Sequence, residues 1–100
     1  GGQATFYNVE ENEGACGGFD TNTDFVVAMA VGMYGDENSV SQYCGKTVQI
    51  TNLQNGNTAT ATVVDCCPTC PIDTSLDMSP SLFDSLSDNN EDEGVFPISY

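Results

Sequence analysis

The sequence predicts a mainly β protein that folds as a small closed barrel with one or two short helices. Short β-branched or aromatic runs bounded by Gly, Asn or Asp indicate strands along most of the chain. Only one segment has a clear helical pattern. A chain of 100 residues forms one domain, predicted to span residues 1–100. Several short strands within this length favour a closed barrel over a sandwich.

Five strands are predicted from these runs, at residues 3–7, 25–30, 47–52, 58–64 and 96–100. The third and fourth form the clearest pair. They are joined through Asn55-Gly56, and both residues tolerate the positive φ that a tight hairpin turn demands. In the fourth strand threonines alternate with Ala and Val, which predicts one buried face. A sixth, short strand is predicted around Asp77.

One helix is predicted to begin after Ser79, which can cap it, with Pro80 in its first turn. Its apolar stripe at helical spacing consists of Leu82, Phe83 and Leu86. A weaker signal predicts a second helical turn at residues 30–34, where glycines disfavour a longer helix. The acidic segment 87–94 is predicted to be a mobile surface loop.

The charge balance is extreme, with 15 acidic residues against a single basic residue, Lys46, no His, and a formal net charge of -14 at pH 7. Long-range repulsion disfavours nucleic acid, anionic membranes and acidic polysaccharides as partners. A neutral glycan or a basic protein fits better. Most of the acids are expected to form a solvated surface. Because His is absent, any acid–base chemistry falls to carboxylates.

Five cysteines in so short a chain are typical of a disulfide framework in an oxidising compartment, which predicts a secreted protein. No apolar run is long enough to span a membrane, and the chain opens without a charged and apolar leader, as expected of a processed mature protein. Cys67 and Cys70 have the C-x-x-C spacing of a redox site, but the sequence around them lacks a thioredoxin-like βαβ pattern, which disfavours that role. A zinc site that also uses Cys66 is too crowded for tetrahedral ligand spacing. We predict neither metal nor cofactor.

The clearest indication of a functional site lies at residues 63–70 and 76–80, where Asp65 ends a predicted strand and Asp77 precedes the helix. Carboxylates that flank a groove serve glycosidic chemistry, and they serve equally to hydrogen-bond sugar hydroxyls. Each also has a structural interpretation: Asp77 can cap the following turn or helix, and Asp65 can form an Asx turn. A hydrolase needs a second carboxylate across the bond. Candidates by abundance alone are Asp20, Asp24 and Asp73.

Seven short motifs occur in order along nearly the whole chain: GQATFY at 2–7, GACG at 14–17, DFVVA at 24–28, CGK at 44–46, VVD at 63–65, CPTC at 67–70 and LDMSP at 76–80. In this order and spacing they resemble the loosenins, which are small fungal expansin-like proteins. The resemblance implies a six-stranded double-psi β-barrel, the fold of expansin first domains, barwin, rare lipoprotein A and one family of glycoside hydrolases. It also implies a secreted protein that loosens cellulose or related wall polysaccharides without appreciable hydrolysis.

The resemblance extends to individual residues. It implies that Asp77 occupies the position of the catalytic acid in the hydrolase relatives, a position that expansins need for loosening. It places Asp65 and Thr5 along a shallow sugar groove, with Tyr7 as an aromatic neighbour. Cys67 stands where bacterial expansins have a Tyr, and the sequence has no Trp. Glycan affinity is therefore expected to be weak, because stacking on aromatic rings supplies much of it.

The resemblance also pairs the cysteines, Cys16 with Cys44 and Cys67 with Cys70, which leaves Cys66 over. Three fates are open for Cys66: a buried and inert thiol, an intermolecular disulfide, or competition with Cys67 for Cys70.

These observations predict a secreted monomer that binds a neutral polysaccharide, cellulose first and chitin or xyloglucan second, and loosens it through Asp77 and Asp65. Two alternatives stay open. One is a weak glycoside hydrolase or lytic transglycosylase with Asp77 as the acid, and the other is a barwin-like inhibitor or effector that binds a protein. Four other aromatic residues can serve in stacking but are more often core in a β-rich chain: Phe19, Phe25, Tyr34 and Tyr43.

Overall fold

Six strands and two short helices make up the part of the chain that the structure describes. The structure is a computed structural model, and it describes residues 2–11, 13–70, 72–89, 92 and 94–100. The strands are β1 (Gly2–Phe6), β2 (Val26–Ala30), β3 (Thr47–Asn52), β4 (Thr58–Cys67), β5 (Leu76–Met78) and β6 (Phe96–Ser99). The helices are α1 (Val31–Tyr34) and α2 (Pro80–Ser87).

The strands close into a barrel in the order β1-β5-β2-β4-β3-β6, so each strand is hydrogen-bonded on both sides. The pairs β1–β5 and β2–β4 are parallel. The other four pairs are antiparallel. The prediction of a mainly β, six-stranded closed barrel with short helices is confirmed.

The barrel interior is filled by apolar side chains from every strand and from α2. Phe83 of α2 closes the core, with its ring centroid 4.7 Å from that of Phe6 and 4.8 Å from that of Phe96. The predicted stripe of α2 is fully buried. In β4, Ala61 is buried and Thr60 is exposed, as the predicted alternation requires.

Ser79 precedes α2, but its side chain does not cap the helix. Its hydroxyl donates to the carbonyl oxygen of Asp24 and accepts the N–H of Val26 at 3.4 Å. Because Ser79 is completely buried beside the start of β2, its hydroxyl satisfies groups there instead of helix N–H groups. The predicted cap is therefore wrong, although α2 begins at Pro80 as expected.

The turn between β3 and β4 is longer than the predicted tight hairpin turn. It spans residues 53–57, and of Asn55 and Gly56 only Gly56 has a positive φ, of 80°. Three asparagine amides donate hydrogen bonds to the carbonyl oxygen of Leu86 in the last turn of α2; they belong to Asn52, Asn55 and Asn57. These bonds satisfy a carbonyl that the helix end leaves unpaired. The loop is therefore shaped by α2 and not by the two strands alone.

β4 continues to Cys67, three residues beyond the predicted end at residue 64. The added residues pair with β2, a contact between distant parts of the chain that no local pattern reveals. The other predicted strands agree to within one residue at each end. Of the acidic loop predicted at 87–94, residues 90, 91 and 93 lie outside the described residues. No helix within the described ranges has the length and apolar character of a membrane span.

Candidate functional site

A row of four side chains crosses the outer face of four adjacent strands. Thr5 of β1 is in register with Asp77 of β5. Ala28 of β2 is in register with Asp77 on one side and with Asp65 of β4 on the other. Because residues paired across neighbouring strands share a face, we call these four residues the groove row. Two strand spacings, about 10 Å, separate the backbones of the two aspartates.

The groove row lies in an open groove made of two connected depressions. The first, of about 130 Å³, is lined by β1, β5 and the segment from Cys67 to Cys70. The second, of about 250 Å³, extends past Asp65 to Tyr7 and the residues that follow it. Both include Cys67 and Asp77, so Asp77 lies at the centre of one continuous groove.

Asp77 is a half-buried carboxylate between two buried neighbours, Leu76 and Met78. The hydroxyl of Thr5 donates a hydrogen bond of 2.9 Å to Asp77 Oδ1. Burial raises the pKa of Asp77 above its ordinary value, the Thr5 hydrogen bond opposes the rise, and the charge of Asp65 adds to it. The structure thus pairs Asp77 with a groove residue and not with the backbone of α2.

A β-bulge in β4 turns Asp65 toward the groove. β2 and β4 run in register up to Val63, but the next residue of β2, Ala28, pairs with Asp65, so Val64 is the additional residue. If the register continued without a shift, Val64 would pair with Ala28 and Asp65 would lie opposite Met29, whose side chain is in the core. The signal in the sequence is the adjacent pair Val63-Val64, which breaks the alternation of the strand.

The loop at residues 14–18 holds this bulge in place. Asp65 Oδ1 accepts the N–H of Ala15 at 2.7 Å and that of Cys66 at 2.8 Å. The carbonyl oxygen of Val64 accepts the N–H of Cys16 at 3.2 Å. The alternative interpretation of Asp65 as an Asx turn does not describe this arrangement, because one of the two partners of Asp65 is 50 residues away in the chain. Asp65 therefore stabilises the contact between the loop and β4 and also lines the groove.

Gly14→Ala is expected to lower the free energy of unfolding by about 1–3 kcal/mol. A Cβ on Gly14 would lie 2.4 Å from the carbonyl oxygen of Val64, a backbone atom that cannot swing aside. The loop must then move off β4, so the amide hydrogens of Ala15 and Cys66 should exchange faster, while the core residue Ile50 keeps its protection. Denaturant unfolding and hydrogen exchange measure the two effects. Unchanged stability would contradict the close contact.

Tyr7 lies at the Asp65 end of the groove. Burial raises the pKa of its phenol, and the charges of Asp65, Asp77 and Asp20 raise it further, as does a hydrogen bond to Asp65. Asp20 belongs to the same region, since burial, then the charges of Asp24 and Asp65, raise the pKa of Asp20. From the sequence Asp20 was one acid among many, and only the fold brings it to the groove.

The other sequence candidates are spread over the molecule. Tyr34 is core and Tyr43 is partly buried against the core, as expected of single aromatics. For Phe19 that expectation is wrong, because its side chain is 71 % exposed. Phe25 is also exposed. Asp73 lies away from the groove row, against the backbone of Gly32.

All five cysteines lie within the described residues. The structure joins Cys16 to Cys44 and Cys67 to Cys70, and the Cα atoms of each pair are 5.5 Å apart. Cys66 is a free thiol that packs in the core. Burial, and then the charges of Glu37 and Asp65, raise the pKa of the Cys66 thiol, which favours the unreactive neutral form. Of the three fates considered, this arrangement agrees with a buried, inert thiol.

Asp77→Asn is expected to flatten the loss of stability that the wild-type protein shows as the pH rises. Because the pKa of Asp77 is raised in the folded state, the folded protein keeps a proton that the unfolded chain has released. Stability therefore falls as the pH rises from the ordinary carboxyl pKa to the raised one. The variant lacks this titration, whereas the exposed Asp92→Asn makes the same change in charge outside the groove. Thermal unfolding at a series of pH values compares them, and identical profiles for wild type and Asp77→Asn would contradict the expectation.

Comparison with known proteins adds a family and a set of similar folds. The model of the Barwin family matches residues 4–95. The chain is similar to allergen Asp f 7 of Aspergillus fumigatus, with 45% identity over 94 residues that cover 87% of this chain and 31% of that protein. It is also similar to an Asp f 7 homolog of Arthroderma benhamiae, with 41% identity over 86 residues, 85% of this chain and 28% of that protein. The chain thus spans less than a third of the length of these relatives.

Two solved structures superpose on nearly the whole chain with a TM-score of 0.76. One is a Streptomyces papain inhibitor, 25% identical, with 99% of this chain and 92% of that chain covered. The other is a variant of an expansin from Clavibacter michiganensis in complex with cellohexaose, 26% identical, with 97% and 46% covered. These similarities identify the barrel as the double-psi β-barrel that the resemblance implied.

Proposed function

The chain belongs to the Barwin family, and we propose that it is a secreted protein that binds a neutral cell-wall polysaccharide along the groove row and loosens it without sustained hydrolysis. The observation that carries the proposal is the register that aligns Thr5, Asp77 and Asp65 in one open groove. Cellulose is the first substrate proposed, because the similar expansin is in complex with cellohexaose. Chitin and xyloglucan are the second.

The groove offers a glycan hydrogen-bonding groups at fixed positions. Asp77, when ionised, accepts hydrogen bonds from sugar hydroxyls, and its bond to Thr5 fixes its orientation. Tyr7, whose pKa is raised, stays protonated and binds Asp65, so its phenolic oxygen can still accept a hydrogen bond from a sugar hydroxyl. The methyl group of Ala28 leaves room for a sugar ring between the two aspartates. A glucan chain seated here would exchange hydrogen bonds with its neighbouring chains for bonds to the protein, and this exchange loosens the polymer.

The two carboxylates of the groove row support binding more than cleavage. Glycoside hydrolysis requires an acid and a second carboxylate, each free to reach its side of the scissile bond. Oδ1 of Asp65 already accepts two backbone N–H groups, which hold this carboxylate to the protein. We therefore assign sugar binding, and not general base catalysis, to Asp65.

Charge and cysteine chemistry support the remaining parts of the proposal. With a net charge of -14, the protein repels an acidic polysaccharide and tolerates a neutral one. Its two disulfides suit an oxidising compartment, which supports a secreted location.

Depletion of the protein from solution by insoluble cellulose and chitin, alongside a reducing-end assay, tests the proposal. We expect binding to cellulose, and release of soluble reducing ends no greater than in a blank without protein. Sustained release that Asp77→Asn abolishes would instead assign a weak glycoside hydrolase or lytic transglycosylase. Failure to bind cellulose, chitin and xyloglucan alike would contradict the proposal.

A protein-binding inhibitor is the second candidate function. The observation that favours it is the similarity to a Streptomyces papain inhibitor, of which 92% is covered with a TM-score of 0.76. The acidic surface of this chain would favour a basic partner. A papain inhibition assay distinguishes the two functions. Inhibition that rises with protein concentration and is equal in wild type and Asp77→Asn would support the inhibitor.

A further inference from the structure

We propose that Phe19 is a stacking platform for a sugar ring at the Asp65 end of the groove. This inference rests on the proposed function and adds a binding residue outside the groove row. It would supply the contact that the row itself lacks, since Thr5, Asp77 and Asp65 offer hydrogen bonds and Ala28 offers only a methyl group.

Phe19 is the most exposed of the five Phe and four Tyr residues, all of which lie in the described ranges. Its side chain is 71 % exposed, against 40 % for Phe25 and Tyr100. Exposed apolar residues scattered singly are common on soluble proteins, so exposure alone assigns no role. The inference rests on the hydrogen bonds that hold the chain before and after Phe19 to the two walls of the groove.

The segment before Phe19 is fixed to one wall of the groove. The N–H of Ala15 is bound by the carboxylate of Asp65 at 2.7 Å. Cys16 is joined to Cys44 by a disulfide. Within the loop, the carbonyl oxygen of Gly18 accepts the N–H of Gly14 at 3.2 Å. Phe19 therefore follows a loop that is already ordered, so stacking costs little conformational entropy.

The segment after Phe19 is fixed to the opposite wall. Oδ1 of Asn22 accepts the N–H of Val9 at 2.9 Å, and Nδ2 of Asn22 donates to Oδ1 of Asn8 at 3.1 Å. The N–H of Asn22 is bound by the carboxylate of Glu10 at 2.8 Å. Asn8 lines the second depression of the groove. The chain from residue 17 to residue 21 thus runs from one wall to the other at the end of the groove marked by Tyr7.

The electrostatic interactions of Asp20, the residue after Phe19, agree with a position of this loop near the groove. The charge of Asp20 helps to raise the pKa of Tyr7, and the charge of Asp65 helps to raise the pKa of Asp20. Asp20 is therefore within electrostatic reach of the groove, and Phe19 directly precedes it in the chain.

A phenyl ring suits a sugar at this position. The C–H face of a pyranose ring buries apolar area against an aromatic ring, without any charge. Such a contact is insensitive to the negative field of the surrounding carboxylates. A ring with only two side-chain torsions also loses little entropy on binding.

A tryptophan at this position makes the contact observable. The chain has no Trp, so Phe19→Trp introduces a single tryptophan. We expect cellohexaose to shift its emission to shorter wavelength. Phe25→Trp is the matched control, because Phe25 is also exposed but directly precedes β2, where its carbonyl oxygen accepts the N–H of Thr62, and does not belong to the loop that joins the two groove walls; its emission should not change. Phe19→Ala should weaken binding to cellulose roughly three- to tenfold, and Phe25→Ala should not weaken it.

Wild-type binding in the same depletion assay separates this inference from the proposed function. If wild type binds cellulose, Asp77→Asn binds less, and Phe19→Ala binds as wild type with unchanged Phe19→Trp emission, the role of Phe19 is overturned while the proposed function stands. If wild type does not bind, both are overturned. Thermal unfolding of the Phe19 variants should match wild type, because the side chain is exposed, and a match excludes misfolding as the cause of weaker binding.

Discussion

Replacing both Cys16 and Cys44 by serine is expected to lower the free energy of unfolding by about 3.5 kcal/mol. The disulfide joins residues that are 28 positions apart in the chain. In the chain-entropy model, its loss stabilises the unfolded state, which regains the freedom of that loop. For a domain of this size, the melting temperature should fall by roughly 15–25 °C.

The surroundings of this disulfide give its removal a second consequence. The hydroxyl of the buried Tyr34 donates to the carbonyl oxygen of Ser39 at 2.6 Å and lies 3.5 Å from the sulfur of Cys44. The backbone of Cys16 in turn binds the bulge of β4 beside Asp65. Without the disulfide, only hydrogen bonds and the packing of Ala15 and residue 16 hold the loop beside Asp65 against the barrel.

The double replacement of Cys67 and Cys70 by serine is the matched control. That disulfide joins residues only 3 positions apart, so the same model assigns it a smaller effect, of about 2 kcal/mol. Denaturant unfolding without reductant measures both variants. Equal losses of stability would contradict the chain-entropy explanation.

Asp77→Asn is expected to weaken cellulose binding and loosening at least tenfold. The variant keeps the shape of the side chain and can still accept the hydroxyl of Thr5, so the groove should stay intact. It loses the charge that strengthens hydrogen bonds to sugar hydroxyls. A hydrogen bond to a charged group contributes about 1.5–3 kcal/mol, which corresponds to roughly ten- to hundredfold in affinity.

Asp92→Asn is the control for this prediction, because it removes the same charge from an exposed position outside the groove. Binding isotherms on insoluble cellulose measure all three proteins at one pH and ionic strength. Unchanged binding in Asp77→Asn would contradict the role of Asp77. An equal loss in Asp92→Asn would trace the effect to net charge and not to the groove.

Most of the secondary structure can be read from local pattern. Strands such as β3 and the first part of β4 have one face in the core, so their apolar residues alternate visibly. The stripe of α2 has helical spacing because its three members pack together into the barrel. The exceptions are Ser79 and Asn55, whose polar groups bind partners far away in the chain. Local pattern cannot report such partners.

The site required more than local pattern. Asp77 and Thr5 are 72 residues apart, and only the parallel pairing of β1 with β5 brings them together. Their role was suggested by family resemblance and not by spacing. The bulge at Val64 leaves a trace in the sequence, but the loop that holds it does not. The bonds of Asn22 hold the segment that contains Phe19 and Asp20 to residues 8–10, and no short motif encodes them.

Titration of isotope-labelled protein with cellohexaose, followed by amide NMR spectra, tests the central claim most directly. A glycan that binds along the groove row should produce its largest shifts at the amides of Thr5, Ala28, Asp65 and Asp77. The opposite wall of the barrel, formed by β3 and β6, should change little. Two results would contradict the claim that this groove binds the glycan. One is that the largest shifts fall on β3 and β6, and the other is that cellohexaose causes no shifts although the same protein binds cellulose.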